Sequence, residues 1–113
     1  MKWLNHELYI EPIDCYIDPV RPVKRAIITH GHADHARAGH THVLATPQTI
    51  DIMKARYGTH CAGHFQPLPF GEPLKIDDVK VTLHPAGHIL GSAQVCLEYG
   101  GQRAVVTGDY KTH

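Results

Sequence analysis

The chain has 113 residues, 42% of them apolar, which allows one small buried core and leaves no room for two domains. Eleven basic and eleven acidic side chains cancel to zero formal charge. No run of like charge stands out, so charge gives no support for nucleic-acid or membrane binding, although a local patch can hide in a neutral total.

Histidine is over-represented, with 11 copies spread along the chain in small groups, which is not the pattern of an expression tag. Cys15, Cys61 and Cys96 are far apart and odd in number, without zinc-finger or disulfide-framework spacing; buried free thiols are expected. The start, Met1 to Glu7, lacks the apolar core of a signal peptide, and no apolar run approaches the ~20 residues of a membrane span. The expectation is a cytoplasmic protein with no membrane partner.

In chain order, Leu8-Tyr9-Ile10 and Cys15-Tyr16-Ile17 read as two short strands, with Glu11 to Asp14 as the turn between them. Asp18-Pro19-Val20-Arg21-Pro22 reads as a loop, because two prolines deny ladder donors. Val23 to Thr29 is a strand, apolar on successive positions as expected when both faces are covered. Ala36-Arg37-Ala38 can begin a helix. Thr41 to Ala45 is a further strand. Thr46-Pro47 then opens a helix, with threonine as N-cap and proline at the first helical position. Ile50, Met53 and Tyr57 recur on one face as ordinary core, and Gly58 stops the helix.

From Phe65 onward the period becomes two. Leu74 and Ile76, then Val79, Val81 and Leu83, alternate with polar residues across a turn at Asp77-Asp78. A Gly- and Pro-rich loop, His84 to Gly91, follows. Ala93, Val95, Leu97 and Tyr99 mark the next strand, and Gly100-Gly101 turns it into an apolar strand from Arg103 to Thr107. The chain is strand-rich, with one clear helix and polar clusters at strand ends.

Three of those clusters carry chemistry: His30, His32, Asp34 and His35; His88; and Asp109. Each follows an apolar strand and lies in a glycine-containing loop. If the strands are neighbours in one sheet with their loops at one edge, the clusters converge. Imidazole nitrogen and carboxylate oxygen are first-choice zinc ligands. His30 and His32, two apart, face the same way in an extended segment, while Asp34 and His35 lie past the bend and can face a second ion. One short loop can thus serve two metals. His40, His42, His60, His64 and His84 match no such pattern and read as surface or loop residues.

The order His30-x-His32-x-Asp34-His35, then Gly87-His88, then Thr107-Gly108-Asp109 resembles the metal-site motifs of metallo-β-lactamase-fold hydrolases. Ala86 to Ala93 and Thr107 to Lys111 resemble the β-CASP nuclease branch, which includes RNA 3′-end processing exonucleases. Tyr16-Ile17-Asp18-Pro19, Arg21-Pro22-Val23 and Ala26 to His30 are similar to bacterial exonucleases associated with DNA ligase. The resemblance implies an α/β (α+β) fold: the N-terminal half of an αββα sandwich, mostly mixed and antiparallel sheet with few helices. Residues 1–113 would form that N-terminal part, without the second half or the inserted β-CASP domain.

By the same resemblance, His30, His32 and His88 would hold one Zn2+. Asp34 and His35 would hold a second, with Asp109 bridging, and Mn2+ suits the same N/O set. The implied reaction is hydrolysis of a phosphodiester in DNA or RNA by an exonuclease, with Asp34 orienting the attacking hydroxide and DNA ligase as an associated protein. Two other readings stay open. One is a metallo-β-lactamase-fold hydrolase of a thioester, lactam or small phosphoester. The other is a truncated, non-catalytic metal-binding module. A half sandwich leaves one sheet face uncovered, so marginal stability or self-association of the chain is expected.

Overall fold

A computed structural model describes residues 2–4, 7–29, 38–86 and 93–107. Among the described residues, ten strands form two sheets. The first sheet comprises β1 (Lys2–Leu4), β2 (Glu7–Ile10), β3 (Cys15–Ile17), β4 (Arg25–Ile27), β5 (His40–Ala45) and β6 (Ala62–Pro67), hydrogen-bonded in that order. The pairs β1–β2 and β2–β3 are antiparallel, whereas β3, β4, β5 and β6 run parallel. The second sheet is an antiparallel meander of β7 (Leu74–Ile76), β8 (Val79–Pro85), β9 (Ala93–Tyr99) and β10 (Gln102–Thr107). One helix, α1 (Pro47–Tyr57), makes the crossover from β5 to β6.

The pattern of side chains explains the layers. Alternate residues of the parallel strands face opposite ways. Ile17, Ile27 and Leu44 point toward the second sheet and meet Val79, Val81, Leu83, Val95 and Val106. Ala26, Ile28, Val43 and Ala45 point the other way and meet Ile50 and Met53 of α1. The central strands of the first sheet are therefore buried on both faces over residues 26–28 and 43–45, which is why they read there as continuous apolar runs. Thr46 caps α1, its hydroxyl accepting the Thr49 N–H, and Gly58 ends the helix at a φ of +92°. The second sheet has one face in the core. Its other face carries an exposed Lys80–Glu98 pair at 3.5 Å and the exposed side chain of Val105.

Several elements depart from the sequence reading. Lys2–Leu4 is a strand, and Glu11–Ile13 is a turn of 3-10 helix. The strand expected over Val23 to Thr29 has ladder geometry only over Arg25–Ile27. At its start, the Val23 N–H donates to His40 Nδ1 and the Val23 carbonyl accepts from Thr41, so those groups are satisfied outside a regular ladder. β6 begins at Ala62, ahead of the apolar signal at Phe65. A Cβ on Gly63 would come within 2.8 Å of the Thr41 carbonyl, so glycine there permits the close pairing of β5 with β6. On α1 the buried face is Thr49, Ile50 and Met53; Tyr57, expected in the core, lies in the last turn and is 38% exposed.

Candidate metal centre

The C-terminal end of β4 is held by a buried carboxylate. Asp18 follows β3 in a left-handed conformation, φ +47°, which a short polar side chain tolerates. Its N–H donates to the Ile27 carbonyl at 3.0 Å. Its Oδ1 accepts the Thr29 N–H at 2.9 Å and its Oδ2 accepts the Thr29 hydroxyl at 2.6 Å. Both residues are almost fully buried. A buried carboxylate is costly unless hydrogen-bonded, and this one is satisfied by two donors of the residue that precedes His30.

The Thr29 carbonyl in turn accepts the Ala93 N–H at 2.7 Å, joining the first sheet to the start of β9 in the second. Ala93 pairs with Pro85 of β8, and the next residue, Gln94, pairs with Thr107 of β10. Thr29, Ala86, Ala93 and Thr107 thus lie within ~10 Å, two strand spacings, of one another. Convergence was expected at the edge of one sheet. The strands belong to two sheets instead, and the Ala93–Thr29 hydrogen bond brings the edges together.

His30, His32, Asp34, His35, His88 and Asp109 themselves lie outside the described residues, as do Ala36 and Arg37. Among the described residues, no three His, Cys, Asp or Glu side chains gather as a metal site. The donor set of four imidazoles and two carboxylates fits a pair of divalent ions by its chemistry. Asp18 is the residue that sequence reasoning passed over, as part of a loop. The available signal was an acid directly after the apolar pair Tyr16-Ile17 and ahead of a proline.

The remaining histidines divide. His40 is buried within β5, not on the surface as expected, because its Nδ1 takes the Val23 N–H. His42 and His64 lie in β5 and β6 with their side chains exposed, and their rings meet edge-on with centroids 5.7 Å apart. His60 and His84 are exposed. All three cysteines are free and buried, as expected. Burial pushes the Cys15 thiol up to about 12, against the pull of Arg25. The Tyr9 phenol also rises to about 12, chiefly through its hydrogen bond to Asp14 at 2.8 Å.

The profile of the Metallo-beta-lactamase superfamily matches residues 18–111, from the clamp aspartate through the last cluster. The chain belongs to the metallo-β-lactamase superfamily. A probable DNA ligase of Opitutus terrae is 40% identical, over 98% of this chain and 11% of its own length. The transcription termination factor FttA of Methanothermobacter thermautotrophicus is 34% identical, over 98% of this chain and 16% of its own. An RNase J-like protein of Methanocaldococcus jannaschii is 29% identical, over 79% of this chain and 26% of its own. The chain therefore spans about a tenth to a quarter of these relatives. Among solved structures, CmlA, a diiron β-hydroxylase from Streptomyces venezuelae, superposes with a TM-score of 0.53 at 18% identity, covering 80% of this chain and 21% of that one. That likeness is one of fold, and it agrees with a mixed α/β, mostly sheet architecture representing the N-terminal portion of the metallo-β-lactamase fold.

Proposed function

We propose that this chain carries the front part of a two-metal phosphodiesterase that removes nucleotides from DNA or RNA. In this reading His30, His32 and His88 would hold one ion and Asp34 and His35 a second, with Asp109 serving both. Zinc is the metal we assign, on the preference of imidazole-rich sets for it. Bound ions would supply Lewis-acid stabilisation of charge on a phosphate and would make water more acidic. The chain's own part is positional. Asp18 holds Thr29 by two hydrogen bonds, and Thr29 holds Ala93, so the residues next to the His30 and His88 segments are fixed points. Asp34 would orient the attacking water.

The observation that carries the reading is the Ala93–Thr29 hydrogen bond, which joins the flanks of the His30–His35 and His88 segments across the two sheets. The relatives named as a termination factor, an RNase J-like protein and a DNA ligase support nucleic acid as the substrate class. Association with a DNA ligase is part of the proposal on the same ground. The test has two readouts. Metal analysis of the purified chain after dialysis should find bound metal, and His32→Ala should lose it; unchanged metal in that variant would remove the assignment. The full-length gene product should digest end-labelled DNA or RNA, and His32→Ala should abolish digestion.

A further inference from the structure

The N-terminal end of β4 opens into a cavity of about 350 Å3 between the first sheet and β7. Arg25 is four residues before Thr29, or ~13 Å along an extended chain, so this cavity is separate from the candidate metal centre. Arg25, His42 and His64 are register partners on three successive parallel strands and form a row on one face of the sheet. Gln66 and Lys75 also line the opening. The floor is apolar, with Ile13, Leu44, Leu74 and Ile76. No carboxylate lines the cavity among the described residues.

The chemistry of this lining selects a ligand. The Arg25 guanidinium is anchored by donating one N–H to the Ile13 carbonyl at 2.9 Å, and a guanidinium has five donors in all. An anchored guanidinium, an amide and two imidazoles present N–H donors, the pattern that recognises phosphate. The same guanidinium opposes a metal cation, and two imidazoles fall short of a zinc ligand set. An apolar floor beneath a few polar groups, at this volume, suits a small molecule with a flat apolar body.

We propose that this cavity binds a free nucleoside monophosphate, the phosphate on the Arg25–His42–His64 row and the base on the apolar floor. The proposal is independent of the hydrolytic reading and is tested with chelator present, which keeps metal-dependent binding out of the measurement. Calorimetric titration of the 113-residue chain with AMP should show saturable binding. Adenosine and inorganic phosphate should each bind at least about tenfold more weakly, since each makes only half of the contacts. His64→Ala, at an exposed position in β6, should weaken AMP binding by about tenfold, as expected for loss of one charge-assisted hydrogen bond. Arg25→Met should weaken it further; if that variant melts at a lower temperature, the His64→Ala result decides alone. No AMP binding at millimolar concentration, or binding untouched by His64→Ala, overturns the proposal. So does AMP binding lost in His32→Ala but kept in His64→Ala. Tighter binding of a 5′-phosphorylated trinucleotide than of AMP overturns the assignment to a free mononucleotide.

Discussion

The two ends of β4 are built on opposite principles. At Thr29 every polar group is taken up: the amide and hydroxyl by Asp18, the carbonyl by Ala93, all out of solvent. At Arg25 the sheet opens, and the polar side chains of β4, β5 and β6 line a cavity. Ala26, Ile27 and Ile28 alone separate these environments. A metal centre needs ligands held to a few tenths of an ångström by supporting groups, which the closed end provides. A site for an exchangeable ligand needs donors that face an opening, which the other end provides.

The largest expected effect is at the closed end. Asp18→Ala would leave the Thr29 N–H and hydroxyl buried without their acceptors. We expect a loss of about 2–4 kcal/mol in urea unfolding, since each unsatisfied buried donor costs roughly 1–3 kcal/mol. Metal content should fall as well, because the residue before His30 is released. Asp18→Asn keeps one acceptor and should fall between. If Asp18→Ala unfolds at the wild-type urea midpoint, the contrast between the two ends fails.

At the open end the expected effect depends on pH. Cys15 is nearly buried on the cavity side of the first sheet, and burial raises its pKa in the folded chain to about 12 from its ordinary value of 9.0. The folded chain thus keeps its thiol proton where the unfolded chain loses it. The stabilisation is fully present below pH 9 and is lost as pH rises toward 12. At pH 10.5 the loss should reach about 2 kcal/mol, from 1.36 kcal/mol per pKa unit. Tyr9 is raised in the same direction, and its contribution begins only above pH 10. Unfolding curves of wild type and Cys15→Ser between pH 8 and pH 11 isolate the thiol: the difference in stability between them should shift by that amount. A constant difference would mean that Cys15 meets water in the folded chain.

How much of this could be read beforehand follows from where each partner lies. β8 and β9 were legible because one face is buried, so Val79, Val81 and Leu83 announce themselves by alternation. β6 was not, because Ala62, Gly63 and Pro67 carry no strand signal and the strand exists through pairing with β5. The Asp18 clamp spans eleven residues and needs β3 beside β4, which composition does not specify. The Arg25–His42–His64 row likewise depends on the register of three parallel strands, so its histidines were read as surface residues. His40 was misread for a local reason: a side-chain nitrogen there replaces a ladder acceptor for Val23. The cluster from His30 to His35 was legible as chemistry, since its three histidines and its aspartate sit within six residues, while its flanks meet through contacts made far along the chain.

The smallest effect tests whether the helix layer matters to either end. Thr46 Oγ1 accepts the Thr49 N–H at 3.3 Å and caps α1, which packs on the face of the first sheet turned away from the cavity. Thr46→Ala should cost about 1 kcal/mol, the usual value of an N-cap, and Thr46→Ser should recover most of it. Ile28 lies under α1 and is hydrogen-bonded to Leu44, but Thr29 is held by Asp18 and Ala93, neither of them in the helix layer. Metal content and AMP affinity should therefore stay at wild-type values while the melting temperature falls. A parallel loss of metal in Thr46→Ala would mean that the helix side of the sheet, and not the Asp18 clamp alone, sets the position of the His30 segment.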